Sequence, residues 1–140
     1  LRLAGLSVPR SMDGKDLMKV YENPEVSNHS YLPLINVWGK APTHTLGIVT
    51  EKKKYLYWGY AGEGFAVAEE LYDLKKDPME LSNQIGNRTY KQSLKHLRKL
   101  YDQQLAHWKK ESVSYNGYQR FSLLFDRNLP WVSKKASKWK

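Results

Sequence analysis

Between Tyr31 and Leu74 apolar and polar side chains alternate with a period near two, the signature of extended chain with one face turned to a core. Leu34, Asn36 and Trp38 alternate against Ile35 and Val37 until Gly39 and Pro42 break the run, which predicts a first strand. Thr45 to Thr50, Lys54 to Tyr60 and Val67 to Leu74 predict three more, with turn residues at Glu51 to Lys53 and Ala61 to Gly64. Turns this short make neighbouring strands antiparallel. Tyr55 and Tyr57 oppose Leu56 and Trp58, so the third strand, like the first, is apolar on both sides. Something besides a single helix is therefore expected to cover the second face.

After Gly86 the period lengthens. Tyr90, Leu94, Leu97, Tyr101 and Trp108 recur at three- and four-residue spacing, and Asn87 is placed to cap, predicting a helix from about Arg88 to Glu111. Leu100 and Leu105 widen the stripe to the arc of a helix lying on a sheet. The expected fold is α+β, a four-stranded antiparallel sheet with this long helix packed across it. Asp77-Pro78-Met79-Glu80 also reads as a helix start, with Asp77 as cap, Pro78 in the first turn and Glu80 completing a capping box.

The flanks are less regular. Leu1 to Leu6 reads as the apolar end of a helix closed by Gly5 and Pro9, and Asp16 to Tyr21 as one helical turn ended by Asn23-Pro24. Residues 1–30 are accordingly a connection, and 31–111 the sheet-plus-helix domain. Residues 112–140 form a basic aromatic tail, expected as an irregular arm that wraps back as far as Trp131, with Lys134 to Lys140 as a free end.

Composition narrows the function classes. At 140 residues and 41% hydrophobic the chain builds one core, and no run approaches the roughly 18 apolar residues of a membrane-spanning helix, so no membrane partner is expected. The absence of cysteine rules out disulfides, thiolate metal sites and a cysteine nucleophile in this stretch. The first residue is Leu1 and not Met, from which a fragment is expected. The net charge of +9 is one-sided: residues 1–88 hold 11 bases and 11 acids, whereas the last 52 residues hold 12 and 3. A basic binding module for an anionic glycan or a nucleic acid is the alternative this raises, with nucleic acid the weaker partner because no recognised module signature occurs.

Three segments carry a more specific signal in their order. Leu3-Ala4-Gly5-Leu6-Ser7-Val8-Pro9 runs into Met12-Asp13-Gly14-Lys15-Asp16-Leu17; Lys53-Lys54-Tyr55-Leu56-Tyr57 follows; then comes Glu70-Leu71-Tyr72-Asp73-Leu74-Lys75-Lys76-Asp77-Pro78-Met79-Glu80-Leu81-Ser82-Asn83. This succession resembles the C-terminal subdomain of the sulfatase family within the alkaline-phosphatase-like superfamily. The resemblance implies sulfate-ester hydrolysis, a formylglycine made in a C/S-x-P-x-R motif, calcium, a missing N-terminal catalytic domain as partner, a sulfated and possibly carbohydrate substrate, and a periplasmic or secreted location. Ser7-Val8-Pro9-Arg10-Ser11 comes nearest to the nucleophile motif but places its arginine one position early. No catalytic residue and no metal ligand is therefore assigned in this chain. Asp13, Asp16 and Asp73 read as turn and strand-end residues.

One loop mixes chemistries. Trp38, Lys40 and His44 bring an indole, an ammonium and an imidazole into seven residues between two strands. In a domain bordering a substrate cleft, Trp38 would stack on a sugar or aryl ring, with Lys40 or His44 making polar contacts. The plainer reading is a packed Trp38 with Lys40 and His44 at the surface. His29, His96 and His107 show no ligand spacing, and Gly62-Glu63-Gly64 is a turn with no following helix start.

Overall fold

A computed structural model describes residues 1–9, 12, 14–37, 43–60, 66–111 and 119–135. The chain divides into two units, Leu1–Ser30 and Tyr31–Lys140. In the first, a 3-10 turn over Arg2–Ala4 ends at Gly5, whose φ of +68° favours a residue without Cβ, and helix α1 spans Met18–Glu22. Asp16 Oδ1 accepts from Met18 N at 3.0 Å, while Asn28 Nδ2 donates to Asp16 O at 2.9 Å, so Asp16 acts as a turn residue.

In the second unit four strands form one antiparallel sheet in the order β1 (Leu32–Asn36), β2 (Thr43–Val49), β3 (Lys53–Tyr60), β4 (Ala68–Asp73). The register pairs Ile48 with Tyr55, Leu46 with Tyr57 and Tyr55 with Leu71. Alternation then places Leu46, Ile48, Tyr55, Tyr57 and Leu71 on one face, all buried. Helix α2 (Lys91–Lys110) lays Leu97, Tyr101 and Leu105 on this face, after a 3-10 turn over Arg88–Tyr90 that Asn87 caps by accepting from Thr89 N. The four strands and the long helix are those expected from the two periodicities.

Residues beyond the long helix depart from the expected irregular arm. Gln119–Leu124 forms α3 and Trp131–Lys135 forms α4, and Phe121, Leu124 and Phe125 complete the core. Gly59 permits the close approach of α3, since a Cβ there would lie 2.8 Å from Leu124 Cγ and 3.0 Å from Leu124 O. Lys134, expected in a free end, is fully buried. Residues 112–118 and 136–140 lie outside the described residues.

The Asp77-Pro78 segment is a second departure. Residues Pro78 and Met79 form a turn and no helix follows. Asp77 Oδ2 accepts from Ser82 N at 2.8 Å, and Glu80, at φ +56°, ion-pairs with Lys54 of β3 and does not close a capping box. The reason lies at the edge of the sheet. Asn83 Oδ1 accepts from Leu71 N and Ile85 N, both at 3.0 Å, and Gln84 N donates to Leu71 O at 2.7 Å, so residues 83 and 84 satisfy the backbone of β4. Asp73 Oδ1 accepts from Lys75 N and Lys76 N to hold the turn leaving the strand. The motif from Leu71 to Asn83 is thus explained by strand-edge chemistry.

The opposite face of the sheet carries Leu32, Leu34, Leu56 and Trp58. Leu56 is buried and lies over Gly47, whereas Leu32 and Leu34 remain 51% and 39% exposed. Apolar surface on this side is what the pattern of the first and third strands predicts.

Candidate functional site

The predicted rim is only partly described. Trp38 and Lys40 lie outside the described residues. His44, two residues into the run of β2, is 5% exposed and meets Phe121 of α3 edge-on, with ring centroids 5.3 Å apart. Alternation along β2 explains this placement: His44 shares the core face with Leu46 and Ile48. His96 and His107 are exposed on α2, and among the described residues no three His, Cys, Asp or Glu side chains gather as a metal site. The calcium that the sequence resemblance implies for the parent enzyme therefore finds no ligand set among the described residues.

A polar cluster that the periodicities did not reveal stands where β3, β4, α2 and the α3–α4 segment converge. Glu69 on β4 accepts from Arg98 Nε at 3.2 Å, from Arg98 Nη2, and from the hydroxyl of the buried Tyr55. One turn along α2, Asp102 accepts from Arg127 Nε at 2.9 Å and Nη2 at 2.6 Å. Lys109 pairs with Asp126 at 3.1 Å, and Tyr101 Oη donates to Phe125 O at 2.7 Å. Arg98 and Asp102 are four residues apart on the helix, so one helix face binds both the sheet and the returning tail. The hydrogen bond that Arg98 donates to Glu69 holds the guanidinium above its ordinary pKa. Burial works most strongly against the charge of Arg127, and only the hydrogen bond and the charge of Asp102 acting together, helped by Tyr55, hold its pKa above the ordinary value. The partners of Arg98 and Asp102 are 29 and 25 residues away, so neither pair had a local signal in the sequence.

Between these pairs lies a cavity of about 410 Å³, walled by Tyr57, Glu69, Arg98, Arg127, Pro130 and Trp131. Lys134 closes the other side of Tyr57: its Nζ donates to Tyr57 Oη and sits 4.7 Å from the ring centroid. Burial pushes the Lys134 pKa down to about 8, with Asp126 opposing the shift.

A pH dependence follows from these groups. Between about 8 and the ordinary 10.5, the unfolded chain holds a proton on Lys134 that the folded chain has released, so stability rises with pH in that interval. Burial raises Tyr57 to about 12 and raises Tyr55 and Tyr101 further, so above pH 10 the unfolded chain ionises first and stability falls. Urea unfolding across this range is expected to show a maximum between pH 9 and 10.5, with Lys134→Met flattening the rising limb by on the order of 2 kcal/mol. An unchanged rising limb in that variant would assign the dependence elsewhere.

The family model for "N-sulphoglucosamine sulphohydrolase, C-terminal" matches residues 1–111, a span that takes in all four strands and α2. The chain is 34% identical over 100 residues to an arylsulfatase of Clostridium perfringens, covering 71% of this chain and 19% of that protein. It is 33% identical over 95 residues to arylsulfatase K of Xenopus laevis, covering 61% and 17%. A putative sulfatase from Bacteroides thetaiotaomicron has a TM-score of 0.59 at 29% identity, covering 77% of this chain and 23% of that one. BT4656, solved in complex with its substrate D-glucosamine-2-N,6-O-disulfate, has a TM-score of 0.67 at 23% identity, covering 82% and 24%. The chain spans under a fifth of the length of these two arylsulfatases.

Proposed function

The chain belongs to the sulfatase family, as its N-sulphoglucosamine sulphohydrolase C-terminal domain, and from that premise we propose that it serves an enzyme hydrolysing sulfate groups on saccharides. The observation that carries this reading is the match over residues 1–111, which spans the whole sheet and its long helix. The sulphoglucosamine of the family description and the disulfated glucosamine bound by BT4656 support a sulfated amino sugar as substrate class. Calcium and the formylglycine nucleophile belong, in this reading, to a catalytic domain outside these residues, and the enzyme works in the periplasm or after secretion.

The subdomain's part is to build one wall of the cleft. Leu32 and Leu34 supply an apolar surface for the rest of the enzyme to pack on. Trp38 and Lys40 form the substrate rim, Trp38 by stacking and Lys40 by pairing with a sulfate, while the buried His44 anchors the returning end of their loop in β2.

The test compares the 140-residue chain with the protein encoded by the longest reading frame that contains it, both metal-loaded, on an aryl sulfate and on a sulfated glucosamine. The longer protein is expected to turn over and the 140-residue chain is not. In the longer protein, Trp38→Ala is expected to raise KM for the saccharide about tenfold while kcat on the aryl sulfate holds. Reproducible turnover by the pure 140-residue chain would overturn this division of labour.

A further inference from the structure

The solvent face of α2 is strongly basic. From Lys91 to Lys110 the helix holds six bases, Lys91, Lys95, Arg98, Lys99, Lys109 and Lys110, against the single acid Asp102. Arg98, Lys109 and Asp102 are engaged with Glu69, Asp126 and Arg127. Lys91, Lys95 and Lys99 are exposed, and none of them forms an ion pair with a described residue. Their spacing of four residues aligns them in one row, each ammonium stem about 6 Å from the next along the axis.

This row edges an open groove of about 760 Å³, whose walls also include Arg98, Asp102 and Arg127. Arg98 and Arg127 line the neighbouring cavity as well, where the half-buried Trp131 offers a ring. The groove is therefore a cationic track that leads to an aromatic surface.

We infer that this face binds a linear sulfated polysaccharide, holding the polymer outside the cleft where its sulfates are removed. Charge complementarity selects a polyanion: three ammonium groups in line meet successive sulfates and release the counterions condensed on the chain. The groove's own lining contains no aromatic residue, whereas single-stranded nucleic acid is held by a succession of stacking rings, so a polymer that carries charge without bases fits better. The half-buried Trp131 at the end of the track suits one pyranose ring. Preferring a sulfated glycan to other polyanions rests on the sulfatase reading above; the cationic track itself does not.

The experiment measures binding of the 140-residue chain to immobilised heparin across a salt series. Lys91→Gln/Lys95→Gln/Lys99→Gln is expected to weaken binding at least tenfold at about 0.1 M salt and to lower the salt slope by about three released counterions. A control, Lys52→Gln/Lys75→Gln/Lys76→Gln, makes the same charge change at exposed lysines in the turns after β2 and β4, outside the α2 row, and is expected to cost less than threefold. All six side chains are exposed, and circular dichroism confirms that both variants fold. Equal losses in the two variants, or no heparin binding by the unaltered chain, would overturn the proposal. So would binding of a single-stranded oligonucleotide as tight as that of heparin and equally dependent on the three lysines, which would assign the face to nucleic acid. Aryl sulfate turnover by the longer protein, measured in parallel, reports on the sulfatase reading separately; the α2 variant is expected to leave it unchanged.

Discussion

Tyr101→Ala is expected to lower the free energy of unfolding by about 4 kcal/mol, the largest loss from a single substitution in this domain. Tyr101 is fully buried at the centre of the sheet–helix interface. Its ring meets Tyr55 edge-on at 5.5 Å and Tyr57 at 5.9 Å, and its hydroxyl holds the carbonyl of Phe125 at the end of α3. Truncation removes the ring contacts, opens a cavity and leaves a buried carbonyl without its donor. Tyr101→Phe keeps the ring and loses only the hydroxyl, so it is expected to cost about 1 to 2 kcal/mol, concentrated in the docking of residues 119–135. Urea unfolding followed by far-ultraviolet circular dichroism and by tryptophan fluorescence measures both. A loss below about 1 kcal/mol for the alanine variant, or equal losses for the two, would show that the returning tail is not tied to the core through this residue.

Glu69→Ala should cost about 2 to 3 kcal/mol, the second-largest effect. Its carboxylate joins three elements by accepting from Arg98 of α2 and Tyr55 of β3 while standing on β4. The Glu69 and Arg98 side chains are 21% and 35% exposed, so solvent screening discounts the ion pair itself to about 1 kcal/mol. The remainder comes from the hydroxyl of Tyr55, which is fully buried and loses its acceptor. A double-mutant cycle separates the two parts. Glu69→Ala combined with Arg98→Met should be less destabilising than the sum of the single changes by about 1 kcal/mol, and Tyr55→Phe should recover part of the Glu69→Ala loss. Additivity within error would mean that the paired geometry contributes nothing to stability.

The regular elements were legible because their signals are local. A period of two marks a strand with one buried face, and residues 43–49 and 53–60 carry it within single strands. The stripe from Tyr90 to Trp108 repeats often enough to define α2 and its inward face, and the side chain of Asn87 caps the turn that leads into it. The ordered segments that resemble the sulfatases are legible for a related reason. Asp73 and Asn83 bond to backbone within about a dozen residues of themselves, so their spacing along the chain reflects geometry directly.

Tertiary structure decided the remainder, wherever the deciding partner was distant in sequence. Asp77-Pro78-Met79-Glu80 has the residues of a capping box, but Glu80 pairs with Lys54 and the next residues satisfy the edge of β4, so the local preference for a helix yields to sheet-edge hydrogen bonding. Phe121, Leu124 and Phe125 are too few to establish a helical period, and the room that Gly59 leaves for Leu124 has no signal near them in the chain. Lys134 sits in a basic run that reads as solvated, yet its ammonium is buried on Tyr57, 77 residues earlier, where the aromatic face and hydroxyl compensate part of its lost hydration. A loop position between two strands places His44 at the surface, but the parity of β2 turns it inward against Phe121. From its own periods and turns the sequence determines the sheet and the long helix, and its ordered segments carry the family resemblance. Which charged and aromatic groups meet, and so which surfaces remain free to bind, is decided only when the chain closes on itself, because burial and pairing depend on contacts between residues far apart along it.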